Sequence, residues 1–89
     1  MSKAIAKAVD RLSETAIDDE IVVMRLDSGE FFSLTDTGRA LWLLIDGTRT
    51  RDALLAAAAA QYGTEPAAIA GDVDEFLAML TAAGFLDAG

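Results

Sequence analysis

Two hydrophobic rhythms divide the chain. From Glu20 to Leu34 the apolar residues fall in two short β-branched or aromatic runs, EIVVMRL and EFFSL, separated by Asp27-Ser28-Gly29. Two such runs around a glycine-containing turn predict a β-hairpin. Ahead of it, VDRLSETA alternates weakly, with Val9, Arg11 and Ser13 on one side and Asp10, Leu12 and Glu14 on the other, which predicts a short edge strand. Residues 1–8 carry small or apolar residues between Lys3 and Lys7 without a turn signal, and are expected to be a loosely held N-terminus.

The hairpin register follows from the turn. A three-residue loop, Asp27 to Gly29 with Gly29 left-handed, sets Met24 opposite Phe32 and Val22 opposite Leu34. It gathers Val22, Met24, Leu26, Phe32 and Leu34 on one face, and leaves Val23, Arg25, Phe31 and Ser33 on the other. Adjacent Phe31 and Phe32 must point to opposite faces, since strand side chains alternate. Phe32 has a core to join; Phe31 needs another explanation.

Beyond Leu34 the spacing turns helical. Thr35 or Asp36 can cap TGRALWLLI, where Leu41, Leu44 and Ile45 share a face and Asp46-Gly47 ends the run. Thr50 is an N-cap for RDALLAAAAAQY, an alanine-rich segment of high helix propensity that stops at Gly63. Pro66 suits the first turn of a third helix, AAIAGDVDEFLAMLTAA, and Gly84 as a left-handed terminator lets Phe85 fold back on Leu80. Gly71 inside that helix costs about 1 kcal/mol relative to alanine, and is either tolerated or a point of close packing. Two or three strands followed by three helices predict one α+β domain over 1–89, an antiparallel sheet packed on a three-helix bundle. The second and third helices, joined through Gly63 and Pro66, resemble a helix-turn-helix in outline.

Composition narrows the chemistry. With 89 residues, 53% of them hydrophobic, the chain holds one small core. No run of about 18 apolar residues is present and the start MSKAIAKAVDRL is too polar for a secretory signal, so a cytoplasmic protein without membrane contact is expected. The absence of cysteine and histidine removes thiolate nucleophiles, the commonest general base and the commonest zinc ligands. Thr15, Ser28 and Ser33 therefore have no histidine to activate them. A net charge of −8 opposes nucleic acid, whose affinity rests on Lys and Arg at phosphates. Asp18-Asp19-Glu20 is read as a solvated loop rather than a cation site, because consecutive side chains rarely converge on one ion. Asp72, Asp74 and Glu75 are read as solvated too, and nothing supplies the apolar pocket that would raise one carboxyl pKa for acid-base work. The basic turn Thr48-Arg49-Thr50-Arg51 is either capping plus solvation or a docking contact.

On the third helix, at about 100° per residue, Ile69, Val73, Phe76 and Leu80 form the core face and Leu77 widens it. Asp72, Met79 and Ala83 form a flank that is part apolar, part acidic. Met79 is there either a gap-filler in the core or a groove wall; Phe76, between the two arcs, serves the core or exposes a ring edge to a groove.

The pattern VVMRLDSGEFFSLTDTGRALWLLIDG, then TRDAL, Tyr62 and DVDEFLAMLTAAGFL, resembles the PqqD-like family, also called the RiPP precursor peptide recognition element. The likeness runs from about Asp18 to Leu86 and rests on Gly29, Phe31-Phe32 before Leu34, Thr37-Gly38, Trp42, Asp46-Gly47, Asp72-Val73 and Phe76-Leu77. It implies a winged-helix-like fold, with an N-terminal three-stranded sheet and three helices. It also implies binding of the leader region of a ribosomally made precursor peptide and presentation of that peptide to a separate modifying enzyme, such as a leader peptidase. In the family the leader adds as an antiparallel strand between the third strand and the third helix. Carried onto this chain, the strand is Phe31, Phe32, Ser33 and Leu34, and the helix wall is Asp72, Val73, Glu75, Phe76 and Met79. No catalytic residue, metal or cofactor is implied. The GEFFSLTDTG hairpin looks more like the stand-alone leader-binding proteins of lasso-peptide pathways than like the PqqD of pyrroloquinoline quinone synthesis.

The competing class is a winged-helix DNA-binding regulator. Charge separates the two: the second and third helices carry Arg51 as their only base against Asp52, Glu65, Asp72, Asp74 and Glu75 on or beside them. Strand addition needs no catalyst, only free backbone groups and side-chain pockets, and so gives a use to the exposed edge of EFFSL.

Overall fold

The computed structural model describes residues 4–87. Strands β1 (Leu12–Ile17), β2 (Glu20–Arg25) and β3 (Phe31–Leu34) precede helices α1 (Asp36–Leu44), α2 (Arg51–Tyr62) and α3 (Pro66–Ala83). The strands form one antiparallel sheet in the order β1-β2-β3, so β3 is an edge strand. This is the α+β order the hydrophobic pattern predicts.

The β2–β3 register is one residue away from the expected one. Met24 lies opposite Phe31, Val23 opposite Phe32 and Ile21 opposite Leu34. The connection is longer than three residues: Arg25 N–H donates to Glu30 O (2.8 Å), closing a loop over Leu26 to Gly29, and Gly29 N–H donates back to Arg25 O (2.9 Å). Gly29 is left-handed, φ 76°, as the turn requires. The Arg25 guanidinium grips Asp27 through two bonds (Nε to Oδ1 3.0 Å, Nη2 to Oδ2 2.7 Å), bracing that longer loop. A slip of one residue exchanges faces. Ile21 and Val23 are therefore buried with Leu34, while Met24 and Leu26 are exposed.

The described part of the N-terminal stretch is tied down, contrary to the expectation for 1–8; residues 1–3 of it lie outside the described residues. Ile5 N–H donates to Arg49 O (2.7 Å), Ala8 N–H to Phe85 O (2.9 Å) and Asp87 N–H to Ala6 O (2.8 Å), and Lys7 bridges Leu86. Ala8 is buried. The arm therefore clasps the segment that follows α3.

The helix ends behave as their residues dictate. Thr50 Oγ1 accepts from Ala53 N–H at 3.2 Å, and Gly63 closes α2 in the left-handed region. After α3, Gly84 (φ 80°) turns the chain so that Phe85 N–H reaches Leu80 O at 2.9 Å and the Phe85 ring is wholly buried, the predicted fold-back. Thr35 precedes α1 in extended geometry without a side-chain cap bond, and Asp36 takes a positive φ of 48°, which Asp tolerates better than most residues. Gly71 has open space around it, so it is a tolerated residue and not a close contact.

One core joins the layers. Trp42, at its centre, donates its indole N–H to Glu14 Oε1 (2.8 Å) and carries Lys7 Nζ 4.4 Å above its ring. Phe85 meets Phe32 edge-on at 5.1 Å and Trp42 at 6.5 Å. These contacts hold β3 and the end of α3 at a fixed separation.

Candidate functional site: the cleft between the open strand and the third helix

Which β3 backbone groups are free follows from the register. Hydrogen-bonded and non-bonded pairs alternate along an antiparallel ladder. Arg25 and Glu30 are a bonded pair, so Phe32 and Leu34 turn their N–H and C=O toward β2. Phe31 and Ser33 turn theirs to the open edge.

Side chains divide the same way. Phe32 and Leu34 face the helices, with Leu34 buried and Phe32 half-buried; Phe31 and Ser33 face away and are exposed. The Phe31 side chain, 69% exposed, thus stands on the outer face of the sheet beside Met24 and does not enter the cleft.

The helix supplies the facing wall. Toward its C-terminal end, Met79, Ala82 and Ala83 line a hollow with Arg25, Glu30 and Phe32. Toward its N-terminal end, Ile69, Asp72 and Val73 line a second hollow with Thr37, Leu41 and Tyr62. Phe76 lies between them: a Cβ built on Gly38 would sit 3.5 Å from Phe76 Cε1 and 3.8 Å from Leu34 Cδ2. A methyl group there would make ordinary van der Waals contact with both, so Gly38 marks the point where the start of α1 lies against the helix wall and the strand.

Of the residues proposed from sequence, Phe32 and Met79 line one hollow and Asp72 and Val73 the other, which α1 and α2 wall in place of β3; Phe76 lies near Leu34 between them, and Ser33 is on the open backbone edge. Val73 is buried, so its side chain serves the floor and the core alike. Glu75 is exposed on the outer lip of α3. Met79 is 37% exposed and is a wall residue, not a core filler. Arg25 and Glu30 line the hollow beside β3 and Thr37 the one beside α1, and none of the three is among the site residues that the sequence predicts. The three-residue loop placed Arg25 on the opposite face, and the signal that would have recovered it is the Arg25-Asp27 pairing across a longer turn.

The arginines of the turn leading into α2 are bonded within the chain. Arg51 binds Asp74 through Nε (2.9 Å) and Nη2 (2.7 Å) and Asp52 through Nη1 (3.0 Å), linking the starts of α2 and α3. That bonding holds the Asp74 carboxyl below the usual range. Arg49 donates to Leu44 O (2.8 Å) and Asp46 Oδ2 (2.9 Å). Both arginines of the basic turn are thus engaged within the chain. Among the described residues no three His, Cys, Asp or Glu side chains are grouped to hold a metal ion, and no helix is long and apolar enough to cross a membrane.

An α+β domain whose open strand edge is walled by a helix has the geometry of domains that accept an extended peptide by strand addition. The chain belongs to the PqqD family: the family model described as "Coenzyme PQQ synthesis protein D (PqqD)" matches residues 20–86. In structure it is similar to the protein of "TbiB1 in Complex with the TbiA(beta) Leader Peptide", with a TM-score of 0.79 and 25% sequence identity over 100% of this chain and 98% of that one. No protein with a curated description matches.

Proposed function

We propose that this protein binds the leader segment of a ribosomally synthesised precursor peptide and presents it to a separate modifying enzyme, without catalysing a reaction itself. The observation that carries the reading is the open edge of β3, with the Phe31 and Ser33 backbone groups free beside a hollow that Phe32, Met79, Ala82 and Ala83 line together with Arg25 and Glu30. The peptide enters as a strand antiparallel to β3; residues opposite Phe32 and Leu34 point to α3, and those opposite Phe31 and Ser33 point outward. Family membership and the likeness to a protein solved with a leader peptide support this reading. The enzyme served is a leader peptidase of a lasso-peptide pathway, acting in the cytoplasm; the hairpin's resemblance to stand-alone lasso-pathway proteins favours it. A DNA-binding role finds no support, because Arg51, the one base of α2 and α3, is bound by Asp74 and Asp52.

The test is to titrate the protein with the leader peptide of a precursor encoded beside its gene, and to assay precursor cleavage by the co-encoded peptidase with and without it. Saturable binding and cleavage that depends on the protein are expected. No binding, with equal cleavage in its absence, would overturn the proposal.

A further inference from the structure

The two hollows along α3 carry carboxylates at their edges. Asp72 lines the one at the N-terminal half of α3, Glu75 is exposed on the helix three residues further on and Glu30 lines the hollow at the other end. None of the three takes part in an ion pair among the described residues; Lys7, Arg25, Arg49 and Arg51 are each paired, and Arg11 and Arg39 are not. Arg25, the base that reaches the cleft, has its charge offset by the carboxylate of Asp27. Unpaired carboxylates bordering a groove raise the local preference for cations.

We propose that the recognised peptide segment is cationic on the N-terminal side of its apolar anchors, and that a Lys or Arg there pairs with Asp72 and Glu75. This rests on the strand-addition reading above. The direction follows from the layout: β3 runs from the Met79 end of α3 at Phe32 to the Phe76 end at Leu34. An antiparallel peptide therefore enters at the Asp72 end and leaves at the Arg25 end. The residue opposite Leu34 seats against Phe76, and the residue two positions upstream, on the same face, arrives at the Asp72 hollow. The ammonium or guanidinium would lie at the rim over Thr37 and Tyr62, with its aliphatic stem along Ile69. A segment with Asp or Glu at that position would meet like charge.

The probe is a displayed library of random twelve-residue peptides, selected on the immobilised wild-type protein and, in parallel, on Asp72→Asn/Glu75→Gln and Asp72→Lys/Glu75→Lys. All four substitutions fall on exposed helix positions, and circular dichroism confirms folding. Wild-type selection is expected to enrich Lys or Arg ahead of an apolar i, i+2 pair. The neutral variant should lose that bias and keep the apolar pair, and the reversed variant should favour Asp or Glu instead. Individual basic peptides should bind the neutral variant about five- to tenfold more weakly, as two exposed ion pairs predict. Peptides that compete in the cleft, shown by loss of binding to Met79→Glu, yet carry no basic bias would overturn the charge proposal and leave strand addition standing. No enrichment, or enriched peptides indifferent to Met79→Glu, would overturn both.

Discussion

Phe32 lies directly opposite Val23 in a hydrogen-bonded pair of the β2–β3 ladder, which leaves the amide of its neighbour Ser33 directed at the open edge. Proline at 33 would remove that N–H without breaking a bond to β2, and proline is tolerated on edge strands in this position. Ser33→Pro should therefore fold, with an unfolding midpoint close to wild type, while leader binding falls at least tenfold. Ser33→Ala should bind as wild type. Calorimetric titration with thermal melts on both variants checks this.

The cleft wall predicts a contrast between two exposed apolar residues. Met79→Glu places a charge against an apolar anchor of the peptide and should cost about 1–3 kcal/mol of binding in a folded protein. Phe31→Ala should cost less, no more than about 1 kcal/mol, because that ring lies on the far face beside Met24 and meets only an outward-pointing side chain of the peptide. Equilibrium binding by fluorescence anisotropy separates them.

The sheet faces show how far the sequence was readable. Helix starts and stops were legible because their causes are local: Thr50 caps, Pro66 opens, and Gly63 and Gly84 close. Phe32 and Leu34 on the core face were legible too, since both follow from period 2; period 3.6 put Met79 on the flank of α3 but left open whether it filled the core or walled a groove. The partner face of β2 was not, because Ile21, Val22, Val23 and Met24 are all apolar and the pattern fits either register. A turn longer by one residue settled it, and with it the place of Arg25 in the cleft. The clasp of residues 5–8 on Phe85 and Leu86 joins opposite ends of the chain, beyond the reach of any local signal.

Stability should rest on the residues that fix the strand-to-helix spacing. Leu80→Ala or Trp42→Ala, each truncating a wholly buried side chain, should destabilise the domain by about 2–5 kcal/mol in chemical denaturation.

The link between α2 and α3 predicts a pH effect. The Arg51 bonds lower the folded pKa of Asp74 below the ordinary value of 3.8. A depressed carboxyl contributes stability that is present above its unfolded pKa and is lost as pH falls through the folded one. Wild type should thus lose more stability between pH 5 and pH 2 than Arg51→Met, which lacks the partner, as followed by melts across that range.

Strand addition is tested most directly by residue-resolved amide hydrogen exchange with and without the leader peptide. Phe32 and Leu34 amides, bonded to β2, should exchange slowly in both states, whereas Phe31 and Ser33 should exchange freely alone and become protected on binding. Unchanged exchange at Phe31 and Ser33 in the saturated complex, with perturbation confined to the turn Thr48 to Arg51, would contradict the account.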